Sequence, residues 1–150
     1  MKRLVIAVAW AFLGASAAPA PGETTSADPA NDIRAVLQAQ QESWNRGDID
    51  GFMNGYAHTD SIVFVSGDDI TRGWQTVRDR YKAKYSDRAK MGELTFSDLE
   101  ITPIDADAAL ADGRWKLKRA TDKPHGRFTL LLRRLPEGWR IVHDHTSSAP

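Results

Sequence analysis

Two histidines flank an aspartate near the end of the chain, in the segment GWRIVHDHTS. Imidazole titrates close to neutral pH, so His143 and His145 are the candidate catalytic residues for general acid or base chemistry. Strand alternation places both on the face that carries Trp139 and Ile141, which we expect to be the core side. On that pattern Asp144 lies on the opposite face, towards solvent or an interface.

Two other roles are open to this histidine pair. Alternating histidines can chelate a metal, but a catalytic zinc site needs three protein ligands. His58 and His125 fall in predicted loops, so the third ligand would be a carboxylate such as Asp60. We therefore predict no metal, and the favoured interpretation makes His143 and His145 hydrogen-bonded wall residues of a ligand pocket.

Aromatic residues are the second candidate group, since the chain has five tryptophans. An apolar pocket with a few polar groups is the usual form of a small-molecule site, although the same side chains could simply pack a core. We predict a small apolar or aromatic organic molecule as partner. The aromatic residues expected to contact it are Trp44, Tyr56, Phe64, Trp74, Tyr81 and Trp115.

Several chemistries lack their signatures. No glycine-rich phosphate loop lies between a strand and a helix, so no nucleotide cofactor is predicted. The chain has no cysteine, and no serine stands in a nucleophile-elbow pattern. Its 20 basic and 20 acidic residues balance, which argues against a nucleic-acid partner.

The N-terminus predicts export. Lys2 and Arg3 precede an apolar run and a small-residue segment containing Ala15-Ser16-Ala17, the pattern of a cleavable signal peptide over residues 1–17. The run is too short to span a bilayer, and without cysteine there is no lipid-anchor site. The predicted location is periplasmic or secreted, with no membrane association after cleavage. Residues 18–30, rich in Pro, Ala, Ser and Thr, predict a disordered tether.

Residues 31–150 predict one α+β domain. Asn31 or Asp32 is expected to cap a first helix that stops at Gly47, and Asp48 to cap a second. A hairpin turns at Gly67-Asp68, and Gly73 opens a third helix. From Leu94 onward the period changes to two and predicts four strands. Helices followed by a strand meander indicate three N-terminal helices packed on a strongly bent sheet.

Four segments in this order resemble the nuclear transport factor 2-like, or SnoaL-like, superfamily. They are NRGDIDGFMNGYA, VFVSGD, RGWQTVRDRY and GWRIVHDHTSSAP. The last also resembles the end of the association domain of calcium/calmodulin-dependent protein kinase II. The resemblance implies a cone whose bent, mixed or antiparallel sheet encloses a cavity. Members include isomerases, dehydratases, cyclases and non-catalytic binding domains, so fold alone does not determine function.

The resemblance can be tested against the ketosteroid isomerase pattern. It puts Gln40 where the isomerase has a tyrosine, and the base and donor acid near Val65 and Leu130, none of which can perform the task. Gln40 is instead added to the predicted ligand-contacting residues, and binding without chemistry is favoured. The alternative is a lyase, isomerase or hydrolase that uses His143 or His145 for proton transfer.

The kinase resemblance adds an assembly role. An outer sheet face with mixed apolar and charged residues suits an isologous homodimer. The residues predicted for this face are Leu131, Arg140, Val142 and Asp144. An anionic ligand of the kind the resemblance implies is not favoured, because Thr129 stands where a basic residue is expected.

Overall fold

The chain changes from helical to strand periodicity as predicted, and the computed structural model describes residues 28–149. The predicted signal peptide and most of the predicted tether lie outside the described residues. The helices are α1 (Pro29–Asn45), α2 (Ile49–Met53), α3 (Trp74–Lys84) and α4 (Arg88–Met91). The strands are β1 (Val63–Ser66), β2 (Asp69–Arg72), β3 (Glu93–Pro103), β4 (Ala108–Lys118), β5 (His125–Leu135) and β6 (Gly138–Thr146).

The first helix begins earlier than predicted. Asp28, not Asn31 or Asp32, is the N-cap, and its side chain accepts a hydrogen bond from the Ala30 amide at 3.0 Å. Pro29 occupies the first turn, where its missing N–H costs nothing. The last residues of the predicted tether are therefore the start of α1.

The other helix boundaries follow their caps. Asp48 caps α2 by accepting from the Gly51 amide at 2.8 Å, and Gly47 takes a left-handed φ of 83° at the end of α1, both as predicted. The short α4 was not predicted. Its N-cap is Asp87, whose side chain accepts a hydrogen bond from the Lys90 amide at 2.9 Å. A helix of four residues is too short to show a helical periodicity in the sequence.

The strands form one six-stranded mixed sheet in the order β2-β1-β6-β5-β4-β3. Neighbours are antiparallel except β1 and β6, which run parallel. α1 covers the β3 edge, where Asn45 pairs like a strand residue with Leu94: its amide donates to the Leu94 carbonyl at 2.9 Å and its oxygen accepts from the Leu94 N–H at 2.7 Å. This satisfies edge groups that would otherwise be open.

Two bulges interrupt the long strands. One shifts the β3–β4 register between Ser97 and Glu100. The other lies on β6, where Leu131 faces His143 but Leu132 faces Ile141, so Val142 is the additional residue. A bulge bends its strand and reverses which face later side chains occupy. The second bulge decides the composition of the site.

Candidate functional site

A cavity of about 100 Å³ lies between the helices and the inner face of the sheet. Its floor is aromatic: the Phe52 ring is 5.2 Å from both the Trp44 and the Tyr81 rings, and Phe64 is 5.6 Å from Tyr81. Phe128 adds a further ring from β5. Offset and edge contacts at these distances hold the rings in fixed positions and give the cavity rigid walls.

One acidic group lies within this aromatic wall. The Tyr56 hydroxyl donates to Asp144 Oδ2 at 2.6 Å, and both residues are buried, at 3% and 5% exposure. Asp144 Oδ1 is also buried and has no partner among the described residues. Buried polar atoms are nearly always paired, so an unpaired carboxyl oxygen lining a cavity is an unusual feature of this wall.

The electrostatics of this group follow from its burial. Loss of solvation raises the pKa of Asp144 from 3.8 to about 7, and the Tyr56 hydrogen bond only partly opposes the rise. Burial, followed by the negative charge of Asp144, raises the pKa of both Tyr56 and Tyr81 well above 10. Near neutral pH the tyrosines are therefore neutral donors, while Asp144 can exchange its proton.

Six of the nine predicted ligand-contacting residues line the cavity, and three do not. Those in the wall are Gln40, Trp44, Tyr56, Phe64, Tyr81 and Trp115. Trp74 lies outside it: its indole donates to the Met53 carbonyl at 3.0 Å and its ring lies 3.9 Å from His58. Helical spacing puts Trp74 and Tyr81 on the same stripe but does not show which end of α3 reaches the cavity.

The predicted orientation of His143 and His145 is wrong. The bulge at Val142 reverses the alternation after Ile141, so Asp144 and Thr146 line the cavity and neither histidine does. His145 is exposed and His143 half-buried on the outer face. The same reversal removes Asp144 from the predicted dimer face. No sequence signal marks the bulge, since Val142 fits either a regular or an irregular strand.

The isomerase positions carry no acid or tyrosine here either. Gln40 Nε2 donates to the Phe52 carbonyl at 3.0 Å, which ties α1 to α2, and Leu130 is an apolar wall residue. The tyrosine and the carboxyl of this cavity come from other places, Tyr56 after α2 and Asp144 on β6.

Within residues 28–149, no three His, Asp or Glu side chains are grouped to hold a metal ion. None of the described helices is long and apolar enough to cross a membrane.

Solved structures share this architecture. An NTF-2-like protein of unknown function from Shewanella oneidensis MR-1 is 40% identical, with a TM-score of 0.77 over 80% of this chain and 99% of that one. A ketosteroid isomerase-like protein from Erwinia carotovora atroseptica is 21% identical, with a TM-score of 0.64 over 80% and 96% of the two chains. A putative calcium/calmodulin-dependent protein kinase II association domain from Xanthomonas campestris is 15% identical, with a TM-score of 0.65 over 90% and 94%.

These likenesses confirm the predicted cone fold of the nuclear transport factor 2-like class. The profile of the family described as SnoaL-like domain matches residues 33–150, and the chain belongs to that family. No curated protein sequence matches the chain at a significant level.

Proposed function

We propose that this domain binds a small, largely aromatic organic molecule in its interior cavity. The observation that carries the proposal is the unpaired, buried Asp144 Oδ1 in an otherwise aromatic wall. A structure that needed only a packed core would gain stability by filling this space with apolar groups. Apolar walls with a few directed polar groups are what small-molecule sites share.

The size of the cavity limits the ligand. An apolar protein cavity of about 150 Å³ holds one benzene ring. The cavity here is smaller, about 100 Å³, but it opens at a mouth lined by exposed residues such as Lys84 and Ser148, so a bound ring can extend into the mouth. One six-membered ring with substituents directed to the mouth therefore fits better than a fused polycyclic body.

Tryptophan fluorescence tests binding directly. We expect p-cresol to change the tryptophan emission of the protein, because Trp44 and Trp115 line the cavity. Trp74 does not line it and serves as the control position. The Trp115→Phe variant should lose about half of that change, in line with one of two reporting indoles, whereas Trp74→Phe should retain it. Equal effects of the two substitutions, or no response in the wild-type protein, would contradict the proposal.

Proton transfer by Asp144 is a second candidate function. It is favoured by the Asp144 pKa of about 7, which leaves both protonation states populated near neutral pH, and by the carboxyl oxygen directed at the cavity. In this candidate function the proton-transfer residues are Asp144 and Tyr56, not the histidines predicted from the sequence. Proton transfer would then take place at the inner face of β6. Deuterium exchange into cyclohexanone, followed by NMR, tests it: the wild-type rate should rise as pH passes about 7 and be lost in Asp144→Asn. Exchange no faster than in buffer would dismiss this candidate.

Export and homodimerisation also belong to the proposal. A leader over residues 1–17 supports export, and half-buried Leu131 and Val142 on the outer face of the sheet support an isologous interface. Native mass spectrometry of the protein purified from its own cells tests both, since it reports the N-terminus and the number of chains together. An uncleaved monomer at micromolar concentration would contradict both parts.

A further inference from the structure

The cavity has two chemically different ends. Its deep end is closed by buried side chains, and Asp144 is the only acidic residue among the described residues that line the cavity. Its mouth is formed by half-buried and exposed residues, among which Arg80 and Lys84 are cationic. A ligand that fills the space therefore meets a carboxyl group at one end and cations at the other.

Two of the cations near the mouth already have carboxylate partners. Arg80 lies 3.5 Å from Asp69 and donates to Thr71 at 3.1 Å, and its guanidinium lies 5.4 Å from the Phe64 ring. Arg119 lies 3.4 Å from Asp122, although its Nε is buried without a partner in the described part of the chain. These contacts hold both guanidinium groups in place.

Lys84 is different, because no hydrogen bond or ion pair to it occurs within residues 28–149. Its Nζ lies 5.4 Å from the Tyr85 ring, and Arg119 approaches the same ring at 6.0 Å. Partial burial, followed by the positive charges of Arg80 and Arg119, lowers the pKa of Lys84. An anion at the mouth would relieve this repulsion without any rearrangement of the chain.

The deep end requires a donor. Asp144 Oδ2 already accepts from Tyr56, and an ionised carboxyl can only accept hydrogen bonds. In the ionised form, the unpaired Oδ1 can therefore accept a hydrogen bond from an O–H or N–H group of a ligand. The Phe64 ring lies 5.6 Å from the Tyr81 ring and 5.4 Å from the Arg80 guanidinium at the mouth, so the wall between the two ends is aromatic and suits an apolar middle of the ligand.

We propose that the ligand is a monocyclic aromatic molecule with an anionic group at the mouth beside Lys84 and a hydrogen-bond donor at the deep end against Asp144. This inference rests on the proposed binding function and assigns the chemical class of its ligand. Arg80 and Lys84 lie on α3, and Arg119 follows β4. The proposed anion site therefore does not need a basic residue at position 129, where this chain has threonine.

Four compounds separate the two ends. 4-Hydroxyphenylacetate carries both groups, 4-hydroxyphenylacetamide lacks the charge, phenylacetate lacks the donor, and p-cresol keeps only the ring and the donor. Calorimetric titration at pH 8, where Asp144 is largely ionised, measures each affinity. We expect the loss of the charge to weaken binding about fivefold and the loss of the donor about tenfold.

Lys84→Gln tests the mouth. It should weaken binding of 4-hydroxyphenylacetate about fivefold and leave the amide unchanged. Lys116→Gln is the matched control, because Lys116 is exposed on β4 beside the inward-facing Trp115 and Leu117. It should leave all four affinities as in the wild-type protein.

The outcomes are distinguishable. The expected ranking with selective loss in Lys84→Gln supports the inference. If the acid and its amide bind equally, or if Lys84→Gln weakens both alike, the ligand class is wrong while cavity binding stands. If none of the four compounds binds, including p-cresol, both the inference and the proposed function fail.

Discussion

Asp144→Asn should make the protein more stable than the wild type at pH 8, by roughly 2–4 kcal/mol. Asparagine keeps an oxygen that can accept the Tyr56 hydrogen bond, and it removes a charge from a buried position. At pH 4 the two proteins should differ by less than about 1 kcal/mol, because Asp144 is then protonated. Urea unfolding at both pH values measures the difference.

The sign follows from proton linkage. An aspartate in the unfolded chain titrates near 3.8, whereas the pKa of Asp144 in the folded protein is about 7. Between these values the folded state binds one more proton, so the free energy of unfolding falls as pH rises from about 4 to about 7, by a total of roughly 4 kcal/mol. Tyr56 and Tyr81, which face Asp144, stay neutral throughout this window and add nothing to it.

Asp68→Asn is the matched control, since it makes the same change of charge at an exposed turn. It should leave the wild-type pH dependence in place. Tyr56→Phe should move the pKa of Asp144 further upwards, because the Tyr56 hydrogen bond lowers it. If Asp144→Asn instead lost stability at pH 8, the carboxylate would be a structural group and not one held for a ligand.

Insertion of one alanine between Leu131 and Leu132 should cost at least about 3 kcal/mol of stability or prevent folding. The inserted residue would pair with Val142 and remove the bulge, so one half of β6 must reverse its faces, since side-chain direction alternates along a strand. Either Trp139 and Ile141 leave the core, or Asp144 leaves the cavity and the flanking histidines enter it. Chemical denaturation and near-ultraviolet circular dichroism report the loss of stability and of aromatic packing.

Val142→Thr is the control for this insertion, because it keeps the bulge and the β-branched shape. It should cost no more than about 1.5 kcal/mol, the effect of adding a hydroxyl to a half-buried position. An insertion variant with wild-type stability would show that β6 can slip, and the position of Asp144 would then not be specified by the strand.

Both predictions concern the same physical trade-off. A buried carboxyl with one unpaired oxygen lowers the stability of the folded protein, and a bulge interrupts a strand ladder. Such local costs are common where a site binds or transforms a ligand. Asp144, placed by the bulge and oriented by Tyr56, is therefore the centre of the proposed site.

The aromatic part of the site could be predicted from residue type alone. Trp44, Tyr56, Phe64 and Tyr81 are large, few in number and placed on helical or strand stripes that had to face inwards. Tyr85 shares the stripe of Tyr81, so the same argument could have found it. Trp74 shows the limit of this reasoning, because a stripe on α3 is longer than the cavity that it borders.

The sequence by itself determined the α+β class, the order of α1 to α3 and of the six strands, the caps at Asp48 and Gly47 and the hairpin at Gly67-Asp68. These features depend on local periodicity and on backbone preferences, which act over a few residues. The tertiary structure alone decided that Asp144 and not the histidines lines the cavity, and that Lys84 reaches its mouth. A bulge depends on how β5 and β6 align, and an empty space depends on how separate elements pack, so neither is written in any short stretch of the chain.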